Sequence, residues 1–485
     1  MMRKTVMGSV QNSVGVAVMA FALSACTLIG PDYETPDPQP VVGSPQGFVN
    51  TDSAIAAAQP LARWWEAFDD PVLTGLVTRL VAENRDLRGA LERLNAARAQ
   101  YGLARLERLP TDSATASWTR QHSAATSPNQ TQSRTRNQTD LSISAAWEVD
   151  LFGRVTRQIN IARAGLGQAE ALLADLHIAL IADLADAYLS YRGAEVELAV
   201  ARHFAANQAD TLRLTRVRRE VGRGTDLDVE RAAAQLAETR AAIPPLEAQM
   251  RAQAYRIGVL IGLAPAQAQS LFTGKVRLPL ISEPLPIGNP ADLLRRRPDI
   301  AAAERALAAA TENVGLTLAD AFPRISLTGS VGSLSADVSD VAGTGALQFA
   351  LGPTLDWSLT NLIRLKDRMA SARADARAAL AAYEQAVLAA LAETETALAQ
   401  QAAFRRQLID LDSARKATAK AARLARLRYE NGAEDFLTVL DAERRALEAA
   451  RALTVARTET ARAEVAVFRA LRAGTGAVAI DNDSH

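Results

Sequence analysis

The segment LSISAAWEVDL, residues 141–151, alternates apolar and other side chains with a period of two. Its odd positions are all apolar, whereas its even positions are Ser, Ser, Ala, Glu and Asp. Successive side chains of a β-strand point to opposite faces of the sheet. The segment therefore predicts a strand with one apolar face and one polar face.

Three further segments share this alternation, so the sequence predicts two β-hairpins. The apolar positions of the three are Ala114, Ala116 and Trp118; Ile325, Leu327 and Val331; and Leu347, Phe349, Leu351, Leu355, Trp357 and Leu359. A long polar loop is expected from His122 to Asn137. A half-buried sheet of a soluble domain is one interpretation. Strands of about ten residues with tryptophans near their ends favour the other, a membrane-spanning β-sheet.

The chain is also internally duplicated. Trp147 and Arg154 recur as Trp357 and Arg364, at a shift of 210 positions. The same shift relates a second block, in which Gly222, Leu227, Val229 and Ala232 recur as Gly432, Leu437, Val439 and Ala442. A period of this length excludes short solenoid repeats and indicates two similar halves.

Each hairpin precedes a helix of unusual length. Residues 152–220 and 360–430 contain no proline, and about 70 helical residues make a rod of roughly 100 Å. Each rod ends at a glycine-containing turn, and a returning helix follows. Gly222 and Gly432 are expected to end the long helices, while Thr225 and Asp435 can cap the helices that follow. Pro244-Pro245 should interrupt the first returning helix.

These features divide the chain into five regions: a signal peptide (1–25), an extended N-terminal arm (26–60), a first repeat (61–289), a second repeat (290–473) and a tail (474–485). The first repeat holds helices, a hairpin (111–150), a long helix (152–220), a tip (221–225), a returning helix (226–263) and a connector (264–289). The second holds a helix, a hairpin (323–359), a long helix (360–430), a tip (431–435) and a returning helix (436–471).

The N-terminus indicates export. Arg3 and Lys4 precede an apolar stretch, Val14 to Leu23, that is too short for a permanent membrane helix. The following Leu23-Ser24-Ala25-Cys26 resembles the lipobox of bacterial lipoproteins, in which the cysteine is acylated and becomes the first mature residue. Thr27 after it suggests the outer membrane, by analogy with known sorting rules. An ordinary secretory signal with an incidental cysteine is the alternative. Cys26 is the only cysteine, so no disulfide can form within the chain.

Four strands cannot close a membrane barrel, and open sheet edges are not tolerated in lipid. Symmetric copies around one axis solve both problems. Two copies would give about eight strands and a narrow interior, whereas three would give about twelve and an aqueous lumen. We therefore expect an α+β membrane protein: a homotrimer whose 12-stranded β-barrel, four strands per chain, continues into a long α-helical coiled-coil tunnel.

Composition and motifs exclude several other functions. The formal net charge is +0, so no basic field attracts nucleic acid. The four histidines show no pair at metal-ligand spacing, and neither Gly222-x-Gly224 nor Gly343-x-Gly345 completes a dinucleotide motif. No P-loop occurs. We expect no enzyme activity, no metal and no cofactor other than the covalent lipid on Cys26.

Three segments resemble those of TolC-type outer-membrane efflux factors, most closely the acylated branch that serves RND tripartite pumps. They are WEVDLFGR (147–154), LRRRPDI (294–300) and FLTVLDAER (436–444). The resemblance covers essentially the whole mature chain. It implies a passive exit duct in the outer membrane for drugs or other small molecules. Its implied partners are outer-membrane lipid, a periplasmic adaptor (membrane fusion) protein and an inner-membrane RND transporter.

The resemblance also implies two functional sites. The adaptor-docking tips would be formed by Arg218, Val221, Gly222, Thr225, Tyr429, Gly432 and Asp435. The periplasmic gate would be formed by Leu437, Asp441 and Tyr429. Leu437 as coiled-coil core, with Asp441 paired to Arg444 or Arg445, is the alternative to the gate. At the level of function, a channel for type I protein secretion or metal efflux, or a purely structural lipoprotein, remain alternatives.

Overall fold

The computed structural model describes residues 28–36, 47–50, 55–56, 61–123, 134–269, 271–272, 276–281 and 284–474. The chain divides into two compact units. Unit 1 comprises Met1–Pro36, Leu94–Ala169 and Ala302–Tyr383, and unit 2 comprises Asp37–Arg93, Glu170–Ala301 and Glu384–His485. The predicted signal peptide, Cys26 and most of the C-terminal tail lie outside the described residues.

Unit 1 contains a four-stranded antiparallel sheet. Its strands are β2 (Thr111–Ser123), β3 (Arg134–Glu148), β5 (Arg324–Ser335) and β6 (Leu347–Asp356). The order β2-β3-β5-β6 leaves β2 and β6 with one neighbour each within the described residues. In unit 2, two-residue strands β1 (Ile55–Ala56) and β4 (Leu285–Pro286) pair in parallel.

The strand register places the predicted apolar residues on one face of the sheet. Ile143 lies opposite Ala114 and Val331, and Val331 lies opposite Phe349. This face is uncovered: Phe349 is 82% and Leu351 77% exposed. Leaving a large apolar side chain in water forfeits about 1.5–3 kcal/mol. A whole face of such residues therefore indicates an apolar environment outside the chain.

The first hairpin is longer than its apolar pattern predicts. The expected loop from His122 to Asn137 is wrong at both ends, because β2 continues to Ser123 and β3 begins at Arg134. The polar ends pair through their backbone and through side chains, as His122 Nδ1 and Thr135 Oγ1 do at 2.9 Å. Backbone pairing requires no apolar residue, so the alternation ends before the strands do.

The helices have the following bounds: α1 Pro71–Glu83, α2 Arg85–Leu106, α3 Arg154–Glu220, α4 Asp226–Ala241, α5 Ile243–Leu260, α6 Pro265–Ala268, α7 Pro290–Arg296, α8 Pro298–Ala319, α9 Leu359–Glu430 and α10 Phe436–Ala470. Short 3₁₀ helices span Trp64–Phe68 and Val338–Asp340. Within the described residues, no helix is long and apolar enough to cross a bilayer.

The two long helices are present, with small corrections at their starts. We expected the first at residue 152, but α3 begins at Arg154 because Gly153 has φ +79°. The Asp150 carboxylate accepts hydrogen bonds from the backbone N–H groups of Val155 and Thr156 at 3.0 and 2.8 Å. It thereby satisfies donors that the first helical turn leaves free. The second long helix begins at Leu359, one residue early.

The first returning helix is interrupted at the predicted prolines. Helix α4 ends at Ala241 and α5 begins at Ile243, so Pro244 lies in the first turn of α5. Proline is tolerated there because the missing N–H has no helical partner. Helix α5 ends at Leu260, so the predicted limit of 263 was three residues too long.

Candidate functional site

The turn after each long helix is built on a glycine in the left-handed region. Gly222 has φ +75° and Gly432 has φ +74°. In the first turn, the N–H groups of Gly222 and Arg223 bond back to the carbonyls of Arg219 and Arg218 at 3.0 and 2.8 Å. The second turn repeats this pattern with Gly432 and Ala433. Both helices therefore end in a C-cap that satisfies their last carbonyl groups.

Side-chain caps begin the returning helices, as predicted. Thr225 Oγ1 accepts a hydrogen bond from the N–H of Asp228 at 3.2 Å, and Asp228 in turn accepts from the N–H of Thr225. Asp435 accepts from the N–H of Thr438 at 2.9 Å. Hydrogen bonds from the Thr438 side chain and backbone lower the pKa of its carboxyl. Each cap is worth about 1 kcal/mol. The two tips are therefore short, rigid turns.

Arg218 and Tyr429 join the ends of the two long helices. The Arg218 guanidinium lies 4.2 Å from the centre of the Tyr429 ring, and its Nη1 donates to the Tyr429 carbonyl at 2.6 Å. Tyr429 is buried and packs against Phe436. Burial raises the pKa of the Tyr429 hydroxyl, so the ring stays neutral beneath the cation.

A compact apolar cluster supports both tips. Its buried members are Ala205, Leu212, Ala232, Leu236, Ala425, Tyr429, Phe436 and Val439. They come from α3, α4, α9 and α10, so four helices share one core beside the turns. Outside this core, Val221 is exposed, and no atom lies within 4 Å of a Cβ built on Gly222 or Gly432. The turns therefore present open surface.

Leu437 and Asp441 lie one helical turn apart on α10 and share a groove with Thr418 and Ala421 of α9. Leu437 is 52% exposed, so it is not core within this chain. The Asp441 carboxylate accepts from Arg445 at 2.8 Å and Arg444 at 3.1 Å. The Arg445 bond holds the pKa of Asp441 below its usual range. The ion pairs of the alternative interpretation are therefore present beside an exposed leucine.

The predicted gate residues do not all meet. Leu437 and Asp441 line one groove, whereas the Tyr429 ring is buried in the tip core and engaged by Arg218. Arg218 of the predicted docking tip is also engaged, because its guanidinium contacts the Tyr429 ring and carbonyl and its side chain is half-buried. The burial of Tyr429 depends on the packing of four helices. A local sequence motif cannot predict such packing.

Glu443 is a buried acidic residue that the sequence interpretation missed. Its carboxylate accepts a hydrogen bond from Thr211 Oγ1 at 3.1 Å, and burial raises its pKa. It borders a cavity of about 300 Å³ with His203 and Gln208. Glutamate on a helix is usually a solvated surface residue, so the sequence carries no signal for this position. Within the described residues, no group of His, Cys, Asp and Glu could hold a metal ion.

The class of the protein follows from two features. One is the uncovered apolar sheet of unit 1, and the other is the pair of capped turns that end the long helices of unit 2. A sheet of this kind belongs in an outer membrane. Comparison with known proteins identifies the family. The outer membrane efflux protein family model matches residues 76–263 and 289–472. The chain belongs to this family and resides in the outer membrane, where it serves efflux.

Individual relatives support the same family assignment. The chain is 33% identical over 466 residues to the probable efflux pump outer membrane protein TtgC of Pseudomonas putida, covering 95% of each chain. It is 33% identical over 475 residues to outer membrane protein OprJ of Pseudomonas aeruginosa, covering 98% of this chain and 97% of OprJ. Among solved structures, the outer-membrane channel OprN superposes with a TM-score of 0.86 at 38% identity, covering 92% of this chain and 99% of that chain.

Proposed function

We propose that three copies of this chain form a continuous passive duct through which an efflux pump discharges drugs or other small molecules. The observation that carries this proposal is the four-stranded sheet. Its apolar face is exposed, and within the part of the chain that the structure describes its edge strands β2 and β6 each pair with one strand. Lipid can cover the face, but only another strand can satisfy the edges.

Pairing β6 of one copy with β2 of the next closes the sheet. Three copies give a barrel of about twelve strands, which encloses water. Trp147 and Trp357 fit this assembly as interfacial anchors. Their indole N–H groups donate to the Arg108 and Ala321 carbonyls at 2.9 and 3.1 Å. The chain's two similar halves would then give the trimer a six-fold pseudosymmetric wall.

The helices extend the duct into the periplasm, and the tips connect it to the pump. We assign Arg218, Val221, Gly222, Thr225, Tyr429, Gly432 and Asp435 to the region that docks a periplasmic adaptor protein. The chain carries no nucleotide motif, so the energy comes from a partner, which we take to be an inner-membrane RND transporter because the chain resembles the branch that serves such pumps. Relatives are named as toluene and antibiotic efflux proteins, which supports small organic cargo.

Leu437 and Asp441 form the periplasmic gate in this proposal. Around a three-fold axis, three Asp441 carboxylates approach one another in a narrow aqueous mouth. Ion pairs with Arg444 and Arg445 offset this repulsion, and in this proposal the Asp441 oxygens at the mouth are the groups that attract cations. Tyr429 acts behind the gate, by fixing the end of α9 through Arg218.

Acylation of Cys26 adds a second attachment to the same membrane. Lipid chains add anchoring only and cannot form a channel, so the barrel provides the insertion that spans the membrane. In this proposal the lipid directs the chain to the outer membrane and helps to retain it there.

Native mass spectrometry of the detergent-purified protein tests the assembly. We expect a mass of three chains, and a dominant monomer or dimer would contradict the closed barrel. A strain lacking the protein tests the function. It should accumulate a fluorescent drug, and the wild-type gene should restore export. Restored protein or metal export without drug export would instead identify the alternative cargo.

A further inference from the structure

Arg157 is a fully buried arginine that none of the roles above requires. Its side chain is 0% exposed, and Nη1 donates to Glu312 Oε2 on α8 at 2.7 Å. The second Glu312 oxygen accepts from Asn160 at 3.3 Å. Burying a guanidinium is costly unless it is paired and hydrogen-bonded. One carboxylate satisfies only part of its five N–H donors.

The other side of the guanidinium contacts residues 28–33 of the N-terminal arm. Arg157 Nη2 donates to the Ile29 and Gly30 carbonyls, each at 3.3 Å, and contacts Asp32 Oδ1 at 3.1 Å. Glu304 of α8 additionally accepts a hydrogen bond from the Tyr33 hydroxyl. A buried arginine thus has a folded helical partner on one side and the arm on the other.

Small residues make the close approach possible. A Cβ built on Gly30 would lie 2.8 Å from the Gly315 Cα, and Gly30 has φ +103°. A Cβ on Gly315 would lie 2.6 Å from Arg157 Nε. Leu28 packs over Gly153, whose φ is +79°. The pocket around Arg157 therefore fits residues 28–33 in backbone conformation, in charge and in shape.

We infer that Arg157, Glu312 and Gly315 form a docking site for the N-terminal arm, and that docking sets the point at which the acylated N-terminus meets the membrane. The inference rests on the proposed acylation of Cys26. Cys26 precedes Leu28 by two residues, a reach of at most about 7 Å. Leu28 contacts Gly153, which follows the end of β3 at Glu148 by five residues. The acyl chains are therefore held beside the base of the sheet.

Docking gives Arg157 a positioning role. An anchor on a free arm could sample a wide area of membrane, because the reach of a flexible segment grows with its length. The docked arm removes this freedom and keeps the lipid beside the base of the sheet, where the sheet meets the surface of the bilayer. Asp32, whose side chain is 77% exposed, contributes charge to the site without being part of the folded core.

A spin label on Thr27→Cys tests the inference, because the acylated Cys26 does not react with thiol reagents. The full-length protein would be studied in outer-membrane lipid vesicles. In the otherwise unchanged protein we expect an immobilised label at one depth. Gly30→Val should shorten its rotational correlation time at least about threefold, into the range of free termini. Asp32→Asn, which leaves the Arg157–Glu312 pair intact, should give an intermediate change.

Gly47→Val is the matched control, since a Cβ there has nothing within 4 Å. Equal mobility in Gly30→Val and Gly47→Val, or a mobile label in the parent, would overturn the inference. The mass of the N-terminal peptide reports acylation separately, and channel conductance reports the duct. Loss of docking should leave conductance unchanged, so each failure can be told from the others.

Discussion

Arg218 and Tyr429, 211 positions apart, connect the first tip to the second through one ring-stacked and hydrogen-bonded contact. The contact joins the end of α3 to the end of α9. Any movement that separates these helix ends must break it. In the proposed duct, Arg218 therefore restrains the periplasmic end.

Replacing Arg218 with glutamine should loosen this restraint. The cation–π contact and the hydrogen bond together contribute about 1–2 kcal/mol, so the open fraction in single-channel recordings should increase by about fivefold to thirtyfold. Arg219→Gln is the control, because the neighbouring Arg219 pairs with the exposed Asp226 of its own tip. Equal open fractions in the two variants would show that the contact does not restrain the tips.

The double variant Leu437→Ala, Asp441→Ala should conduct more than the wild type and should prefer cations less. It removes an exposed apolar side chain and one carboxylate per chain from the same groove. Reversal potentials in a salt gradient measure the selectivity. Asp410→Ala is the control. It removes an exposed acid of α9 that does not line this groove, and it should change neither conductance nor selectivity. A constriction elsewhere in the duct is indicated if the double variant matches this control.

Gly222→Trp should abolish efflux without lowering trimer abundance. The position is open, so the indole projects into the surface proposed to meet the adaptor. Gly222→Asn separates this effect from backbone strain, because asparagine tolerates the left-handed region. Drug resistance should persist in the asparagine variant. If the tryptophan variant is equally resistant, the adaptor does not dock at this tip.

Glu464 should make the protein less stable as the pH rises. Burial raises the pKa of this carboxyl to about 7, although Arg405 lies 3.0 Å away and the Ile281 N–H also donates to it. Between its ordinary pKa and about 7, the folded state holds a proton that the unfolded state has lost. The free energy of unfolding therefore falls across this window, by up to about 3 kcal/mol.

Glu464→Gln should flatten this dependence between pH 5 and pH 7.5, as measured by chemical or thermal unfolding. Glu459→Gln, a change at a half-buried acid of the same helix that pairs with Arg462, should leave the slope as it is in the wild type. A steep slope that survives the Glu464 substitution would place the responsible group elsewhere.

Cys26→Ser should abolish acylation while trimers still form, because barrel closure depends on the strands and not on the lipid. Mass spectrometry of the mature N-terminus and native mass spectrometry of the assembly measure the two effects. An unmodified N-terminus in the wild type would refute the lipid assignment.

The sequence predicts the periodic features of the fold well. The alternation around Trp147 appears in β3, and the absence of proline after it appears as the 67-residue helix α3. The Pro244-Pro245 pair coincides with the break after α4. Each of these depends on local geometry, which a few neighbouring residues determine.

The candidate site is predicted less completely, because its burial depends on distant partners. Gly222, Thr225 and Asp435 have local roles as caps, and their motifs reveal them. Tyr429 is buried because α3 and α10 pack over it. Arg157 and Glu443 gave no signal, since charged residues on helices are usually solvated.

The most direct test of the duct is the current through purified protein in a planar lipid bilayer. Trimers of the wild type should insert and produce discrete single-channel steps with a preference for cations, without any nucleotide present. Trimers that insert, as shown by protease protection of the barrel, but carry no current even as the Leu437→Ala, Asp441→Ala variant would contradict the channel.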